Sequence, residues 1–149
     1  MYEKLQELRA RREEREAGFT LIELLVVVVI IGILIAIAIP LYLNYQKGAK
    51  DKSAQSDLRG AVSALQQCYT ENGNAYPSGT ASNTAGDKAT FTCGTITETA
   101  NLSSGTTFTY TPAPSGCTTA CVSYVATTSN SGGHGNTYTY NSTNGGQIT

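Results

Sequence analysis

The feature that most constrains this chain is an unbroken apolar run, residues 24–39, which follows directly after Glu23. With the residues just before it, the apolar segment covers residues 19–39, about 21 positions. At about 1.5 Å per residue, a helix of this length measures about 31 Å, which matches the hydrocarbon core of a bilayer. The run shows no alternation of apolar and polar residues, so it predicts a membrane-spanning helix and not a strand.

Glu23 is a lone carboxylate near the start of this apolar segment. An ionisable side chain inside a bilayer is costly, and such residues commonly face a partner or mark a functional site. The sequence therefore predicts a function for Glu23 and a partner that the apolar segment itself does not provide.

Charge alone leaves the orientation of the membrane helix open, because five basic residues precede it and four follow soon after it. The four that follow are Lys47, Lys50, Lys52 and Arg59. The net charge of −1 gives no indication of nucleic-acid binding. The charged residues 1–18 fit either a solvated N-terminal tail or a cytoplasmic leader that is later removed.

Four cysteines decide the orientation, because all of them follow the apolar run: Cys68, Cys93, Cys117 and Cys121. An even number of cysteines beyond a membrane segment favours two disulfides in an oxidising compartment. A zinc site is the alternative, but paired C-x-x-C spacings are missing and His134 is the only histidine. Of the three connectivities that four cysteines allow, we favour Cys68–Cys93 with Cys117–Cys121, because each closes a neighbouring loop.

A cleaved secretory signal peptide is a second interpretation of the apolar run. Residues 36–38, Ala-Ile-Ala, offer a small-x-small cleavage motif. The run is longer than a usual signal-peptide core, however, and Glu23 interrupts its start. Cleavage there would also leave Pro40 directly after the new first residue.

Gly32 and Pro40 make residues 32–40 the least stable part of the predicted helix. Proline removes one helical hydrogen bond and clashes with the preceding turn, and glycine lowers helix stability. A kink is the simplest outcome, and a segment able to unwind is the functional interpretation.

Residues 41–71 continue as an amphipathic helix. Polar residues, Asp51 and Arg59 among them, fall largely off its apolar face, and Asn72-Gly73 predicts its end. The apolar positions recur with helical spacing: Ala54, Leu58, Ala61, Val62, Leu65, Cys68 and Tyr69.

After a polar loop at residues 78–88, short segments alternate with period two and predict three or four antiparallel strands. These segments are residues 90–93, 106–111, 122–128 and 137–141. A long helix covered by a small antiparallel sheet gives an α+β fold. One helix on one small sheet makes a thin core, which two disulfides would reinforce.

The sequence shows no catalytic constellation, so we predict a protein that is not an enzyme and that needs no cofactor or metal. His134 lies among glycines, where a turn residue is expected and not a general base. Asp87 and Glu98 are isolated carboxylates, so a calcium site is only a weak alternative.

Residues 18–25, GFTLIELL, followed by the long apolar segment, resemble the class III signal of type IV prepilins and type II secretion pseudopilins. Gly32 and Pro40 stand where that family has its helix-softening glycine and proline. Residues 56–59 and 69–77 are similar to the end of the pilin helix and the turn after it. The resemblance covers about the first half of the chain and is specific at the cleavage site.

The resemblance implies a leader at residues 1–18, a membrane and filament-core helix at 19–40, its amphipathic continuation at 41–71 and an extracytoplasmic region at 72–149. It also implies that a prepilin peptidase cuts between Gly18 and Phe19 and methylates the new Phe19 amine. Glu23 would then pair with the Phe19 amine of a neighbouring subunit, since in low dielectric each charge is costly alone. The leader is almost as acidic as it is basic, which departs from the family.

The implied function is that of a structural subunit of a type IV pilus that serves adhesion, motility or DNA uptake. Its implied partners are other copies of the chain, the peptidase, an assembly platform with its ATPase, and the inner membrane, which the subunit leaves for an extracellular filament. One alternative is the major pseudopilin of a type II secretion system, in the periplasm. A second is an uncleaved, membrane-anchored extracellular domain.

Overall fold

The computed structural model describes residues 18–84, 87–114, 116–119, 121–144 and 146–149. Residues 1–17 of the predicted leader lie outside the described residues. The chain divides into two compact units, Met1–Tyr42 and Leu43–Thr149, which are treated separately below.

The first secondary-structure element, α1, is a helix of 51 residues at Leu21–Glu71. The helix assignment is continuous through Gly32 and Pro40, the two residues predicted to soften it. The helix ends at the predicted turn, where Gly73 has a φ of 61° and the Asn74 amide donates to the Tyr69 carbonyl at 2.9 Å. Glycine adopts this left-handed conformation without steric cost, which explains why the chain leaves the helix here.

In the first unit, the apolar side chains of α1 point into open space. Every large apolar side chain from Leu21 to Tyr42 is between 47% and 81% exposed. Within the described residues, α1 is the helix that is long and apolar enough to cross a membrane. A folded chain in water rarely leaves so large a continuous apolar surface uncovered.

The second unit contains six strands in its described residues, and they form one antiparallel sheet in the order β3-β2-β1-β4-β5-β6. The strands are β1 (Ala81–Thr84), β2 (Lys88–Cys93), β3 (Ile96–Asn101), β4 (Thr106–Ala113), β5 (Ser123–Asn130) and β6 (Thr137–Asn141). The α+β prediction is thus confirmed, whereas the predicted number of three or four strands is wrong.

The two strands that the sequence pattern missed are β1 and β3. β1 lies inside the segment that was predicted to be a polar loop, and the side-chain amide of Asn83 holds it in the sheet. This amide donates to the Thr106 carbonyl and accepts from the Phe108 amide on β4. β3 pairs with β2 along its whole length, from Lys88 opposite Asn101 to Cys93 opposite Ile96.

The core lies between the second part of α1 and the sheet. The helix contributes buried residues at the predicted apolar spacing, and β4 and β5 alternate buried and more exposed positions as half-buried strands do. The largest buried side chains are Leu58 and Leu65 on the helix and Phe91, Phe108, Tyr110 and Tyr124 on the sheet.

Two disulfides reinforce this core. Cys68 at the end of α1 is bonded to Cys93 at the end of β2, and Cys117 is bonded to Cys121. This is the connectivity favoured from the sequence. The first bond ties the helix to the sheet across 25 residues of sequence, and cross-links of this kind typically stabilise small domains by about 2–4 kcal/mol.

Candidate processing and assembly site

Gly18 and Phe19 lie just before α1 in an irregular, exposed segment. Among the described residues, a side chain added at Gly18 would meet nothing within 4 Å, and the Phe19 side chain is 82% exposed. The described residues therefore leave the peptide bond that joins them uncovered. The structure places Glu23, the third predicted site residue, one turn further along.

Glu23 forms a capping box with Thr20 at the start of α1. The backbone amide and the hydroxyl of Thr20 both donate to Glu23 Oε2, at 2.9 and 2.8 Å. The Glu23 amide is 3.3 Å from the Thr20 hydroxyl oxygen, its acceptor. The two side chains thereby satisfy amides that the first turn of a helix leaves without a partner.

The expectation that Glu23 has no partner in its own segment is therefore wrong. The spacing Thr20-x-x-Glu23 before an apolar run is a known signal for a capping box and could have predicted this contact. Oε1 of Glu23 has no hydrogen-bond partner within the part of the chain that the structure describes. One carboxylate oxygen thus remains available to a donor from outside the chain.

A second polar cluster lies in the unit Leu43–Thr149, around Asp51. This aspartate is only 4% exposed, although it was predicted to lie off the apolar face. Its carboxylate accepts from the His134 backbone amide at 3.1 Å, from His134 Nδ1 at 2.6 Å and from Asn136 Nδ2 at 3.1 Å. His134 Nε2 lies 2.8 Å from Asn44 Oδ1. His134 is a turn residue, as predicted, and it also binds the helix.

The hydrogen bond from His134 is the main reason why the pKa of Asp51 lies below its ordinary value. Burial of the carboxylate opposes this shift, and the His134 amide, the His134 charge and the Asn136 amide add to it. The sequence signal for its burial was the spacing of position 51 from the buried positions 54, 58, 61, 65 and 68, which continues the a/d pattern of the apolar face.

Gly133 allows the turn between β5 and β6 to approach this carboxylate closely. A Cβ at this position would collide with Asp51 Oδ1 and would lie 3.3 Å from the Asn130 carbonyl oxygen. Any side chain here would push the turn away from the helix.

Asp57 makes a similar contact two turns further along α1. Its carboxylate accepts from the Ser103 amide at 2.8 Å, from the Ser103 hydroxyl at 3.1 Å and from the Thr106 hydroxyl at 2.7 Å. Between the two aspartates, the Thr128 hydroxyl donates to the Ala54 carbonyl at 2.8 Å. Neither aspartate was predicted as a site residue, because a lone carboxylate on an amphipathic helix normally faces solvent.

The described residues contain no group of three or more His, Cys, Asp or Glu side chains placed to hold a metal ion. The polar clusters around Asp51 and Asp57 consist of one carboxylate each with neutral or histidine donors. Their geometry fits structural contacts between helix and sheet.

Comparison with known proteins bears on the N-terminal site. Residues 15–39 match the family model described as the prokaryotic N-terminal methylation motif. This match spans Gly18, Phe19, the capping box and most of the exposed apolar helix. The N-terminal part of this chain is therefore similar to that of type IV pilins and type II secretion pseudopilins.

Curated type IV pilins and type II secretion core proteins are both similar to this N-terminal segment. The type IV major pilin protein PilA of Myxococcus xanthus is 44% identical over 62 residues, which is 42% of this chain and 28% of the relative. The type II secretion system core protein G of Pseudomonas aeruginosa is 40% identical over 67 residues, 45% of this chain and 46% of the relative. The type IV major fimbrial protein FimA of Dichelobacter nodosus is 45% identical over 56 residues, which is 38% of this chain and 36% of the relative.

The chain thus spans less than half the length of these pilin and pseudopilin relatives. No solved structure matches it significantly. The similarity to these proteins therefore concerns the first part of the chain.

Proposed function

We propose that the chain is a structural subunit of a type IV pilus that polymerises through its N-terminal helix. One observation carries the proposal: directly after the matched Gly18-Phe19 motif begins a helix whose large apolar side chains are all exposed as far as Leu43. Such a surface needs an apolar environment, which the membrane provides before assembly and neighbouring helices provide in a filament.

Cleavage between Gly18 and Phe19 would create the partner for Glu23. The new Phe19 amine carries a positive charge at neutral pH, and methylation keeps that charge. Because Thr20 already occupies Oε2 of Glu23 within the same helix, the free Oε1 is the atom that would accept from a neighbour's amine. Glu23 would then select the axial register between stacked helices, because any other register leaves two charges unpaired in low dielectric.

The remaining partners follow from this assignment. A membrane prepilin peptidase would cut and methylate the chain, and an assembly ATPase with its platform protein would move subunits from the inner membrane into an extracellular filament. Residues 32–40, with Gly32 and Pro40, would be the part of the helix that loosens in the filament. In this proposal, the leader ends at residue 18, the filament-core part of the helix ends at residue 40, and the amphipathic part that packs on the sheet ends at residue 71.

A type II secretion pseudopilin is the second candidate, and the 40% identity to core protein G of Pseudomonas aeruginosa supports it. In that case the filament would be a short periplasmic piston. The Thr- and Ser-rich sheet and the two disulfides favour a surface-exposed pilin instead. An uncleaved membrane-anchored domain is the third candidate, and it requires that the motif at residues 15–39 is not processed.

Mass spectrometry of the mature protein tests the proposal. We expect an N-terminus at Phe19 that carries one additional methyl group, whereas an intact Met1 or an N-terminus at Ile39 would contradict it. Deleting the gene and scoring surface filaments against secreted enzymes then separates the two machines: loss of filaments supports the pilin, and loss of secretion with normal filaments supports the pseudopilin.

A further inference from the structure

Asn44, Asp51 and His134 form a contact that we call the clasp. It joins α1 to the turn between β5 and β6 through the two sides of one imidazole ring. Nδ1 of His134 donates to Asp51 at 2.6 Å, and Nε2 lies 2.8 Å from Asn44 Oδ1. Because Asn44 and Asp51 are seven residues apart, the ring bridges two turns of the helix.

The clasp lies where the sheet first supports the helix. Within the unit Leu43–Thr149, residues 43–47 are exposed, Gly48 is half-buried and Asp51 is the first buried residue. A Cβ at Gly48 would lie 4.0 Å from Cε1 of His134, so the ring also covers the backbone at this position. Apolar packing begins only at Ala54 and Leu58.

The helix is intrinsically weak at the clasp. Asn44 and Gly48 are poor helix formers, and Pro40 has already removed one hydrogen bond from the preceding turn. Short helical segments without tertiary contacts are marginal in water, so this stretch depends on what holds it from outside. The described contacts that hold it are those of the clasp, together with the Asn136 amide on Asp51.

We propose that the clasp stops unwinding of the helix at Asn44, so that residues 32–40 can lose helical structure while the helix from Asn44 onward stays folded. Its benefit to filament assembly rests on the proposed function, but its effect on the helix is a property of the single subunit. Opening the clasp exposes residues 44–52 to unwinding, and the disulfide and apolar core keep residues 58–68 folded.

Hydrogen exchange measured by mass spectrometry on the full chain in detergent micelles tests this. In Asp51→Asn and His134→Ala, we expect the amides of residues 44–52 to exchange about tenfold faster than in the wild type, as local opening predicts. The amides of residues 58–68 should stay within about twofold of the wild-type rate.

Asp57→Asn is the matched control, because it removes a buried carboxylate from the same helix face outside the clasp. It should speed exchange around Asp57 and residues 103–106 and leave residues 44–48 at the wild-type rate. If His134→Ala does not fold, Asn44→Ser tests the same idea through one exposed residue, because serine has a similar helix propensity and lacks the amide. Faster exchange should again be confined to residues 44–52.

Two results overturn the inference. One is wild-type exchange of residues 44–52 in every clasp variant that folds. The other is a uniform increase in exchange rate over residues 43–149. The clasp would then stabilise the whole unit and would not limit helix unwinding at Asn44. Failure of the wild type to form filaments contradicts the proposed function instead, and it leaves the exchange result standing.

Discussion

The two parts of α1 have opposite distributions of side chains. Before residue 44, the large apolar side chains are exposed, whereas after it two carboxylates, Asp51 and Asp57, are buried with their donors. One helix thus combines a segment that the described residues leave uncovered with a segment whose partners lie in its own chain. On the proposed function, the partners of the first segment come from other molecules. The difference shows that the length and apolar content of a helix do not define its role in the protein. That role also depends on whether the groups that cover its apolar face lie in the same chain.

The largest expected effect is on the free energy of unfolding, when one apolar side chain is truncated to alanine in each part of the helix. Leu58→Ala should lower the free energy of unfolding by about 2–5 kcal/mol, because it opens a cavity in the core. Ile31→Ala, at a position that is 48% exposed, should change it by less than about 0.5 kcal/mol. Denaturant titration of the full chain in detergent, followed by tyrosine fluorescence, measures both values.

Similar losses in the two variants would contradict the comparison. They would mean that the first part of the helix also takes its stability from contacts within the chain. A defect of Ile31→Ala in filament yield with unchanged unfolding would strengthen the comparison.

A second prediction concerns pH and the carboxylate buried in the second part. Because the pKa of Asp51 is lowered in the folded protein, its contribution is fully present above the unfolded value of about 3.9 and is lost as the pH falls through the folded-state value. The titratable group in contact with it is His134, whose Nδ1 lies 2.6 Å from Asp51 Oδ2. The stability difference between wild type and Asp51→Asn should therefore be present at pH 6 and shrink below about pH 4.

Denaturant titrations of both proteins from pH 6 to pH 3 measure this difference. Ser63→Ala, a change at an exposed position of the same helix, serves as the control and should follow the wild type at every pH. A difference between wild type and Asp51→Asn that does not change with pH would show that Asp51 contributes through packing and not through its charge.

The smallest expected effect comes from replacing two glycines by alanine, one on the helix and one on the turn that the clasp joins. Gly48→Ala should stabilise the second part of the helix by about 0.5–1 kcal/mol, because alanine is the better helix former and the added Cβ makes an ordinary contact. Gly133→Ala should destabilise the protein, because its Cβ would collide with Asp51. Thermal unfolding followed by circular dichroism measures both, and a shift in the same direction for the two variants would contradict the contact geometry.

The sequence predicted what depends on local pattern. The end of α1 at Asn72-Gly73, the apolar face from Ala54 onward and both cysteine pairs follow from spacing along the chain, and the structure shows them where they were expected. The capping box of Thr20 and Glu23 is equally local, and it was missed only because the carboxylate was interpreted as a defect in an apolar run.

The features that the sequence could not predict depend on distant partners. β1 has the polar sequence ASNT and pairs through the side chain of Asn83 with β4, 23 or more residues away. Asp51 is buried because His134, 83 residues later, supplies two donors to it. The spacing of position 51 indicates that it lies on the buried face, but the neighbours of a residue along the chain do not show which distant side chain will reach it.

Filament yield from Glu23→Ala tests the central claim most directly, namely that the first part of the helix takes its partner from another subunit. The variant should insert into the membrane and be cut after Gly18, as mass spectrometry of its N-terminus at Phe19 would show. We expect its filament yield to fall by about tenfold or more, because the neighbouring amine is left unpaired in low dielectric. Wild-type amounts of filament from a correctly cut Glu23→Ala subunit would contradict the account.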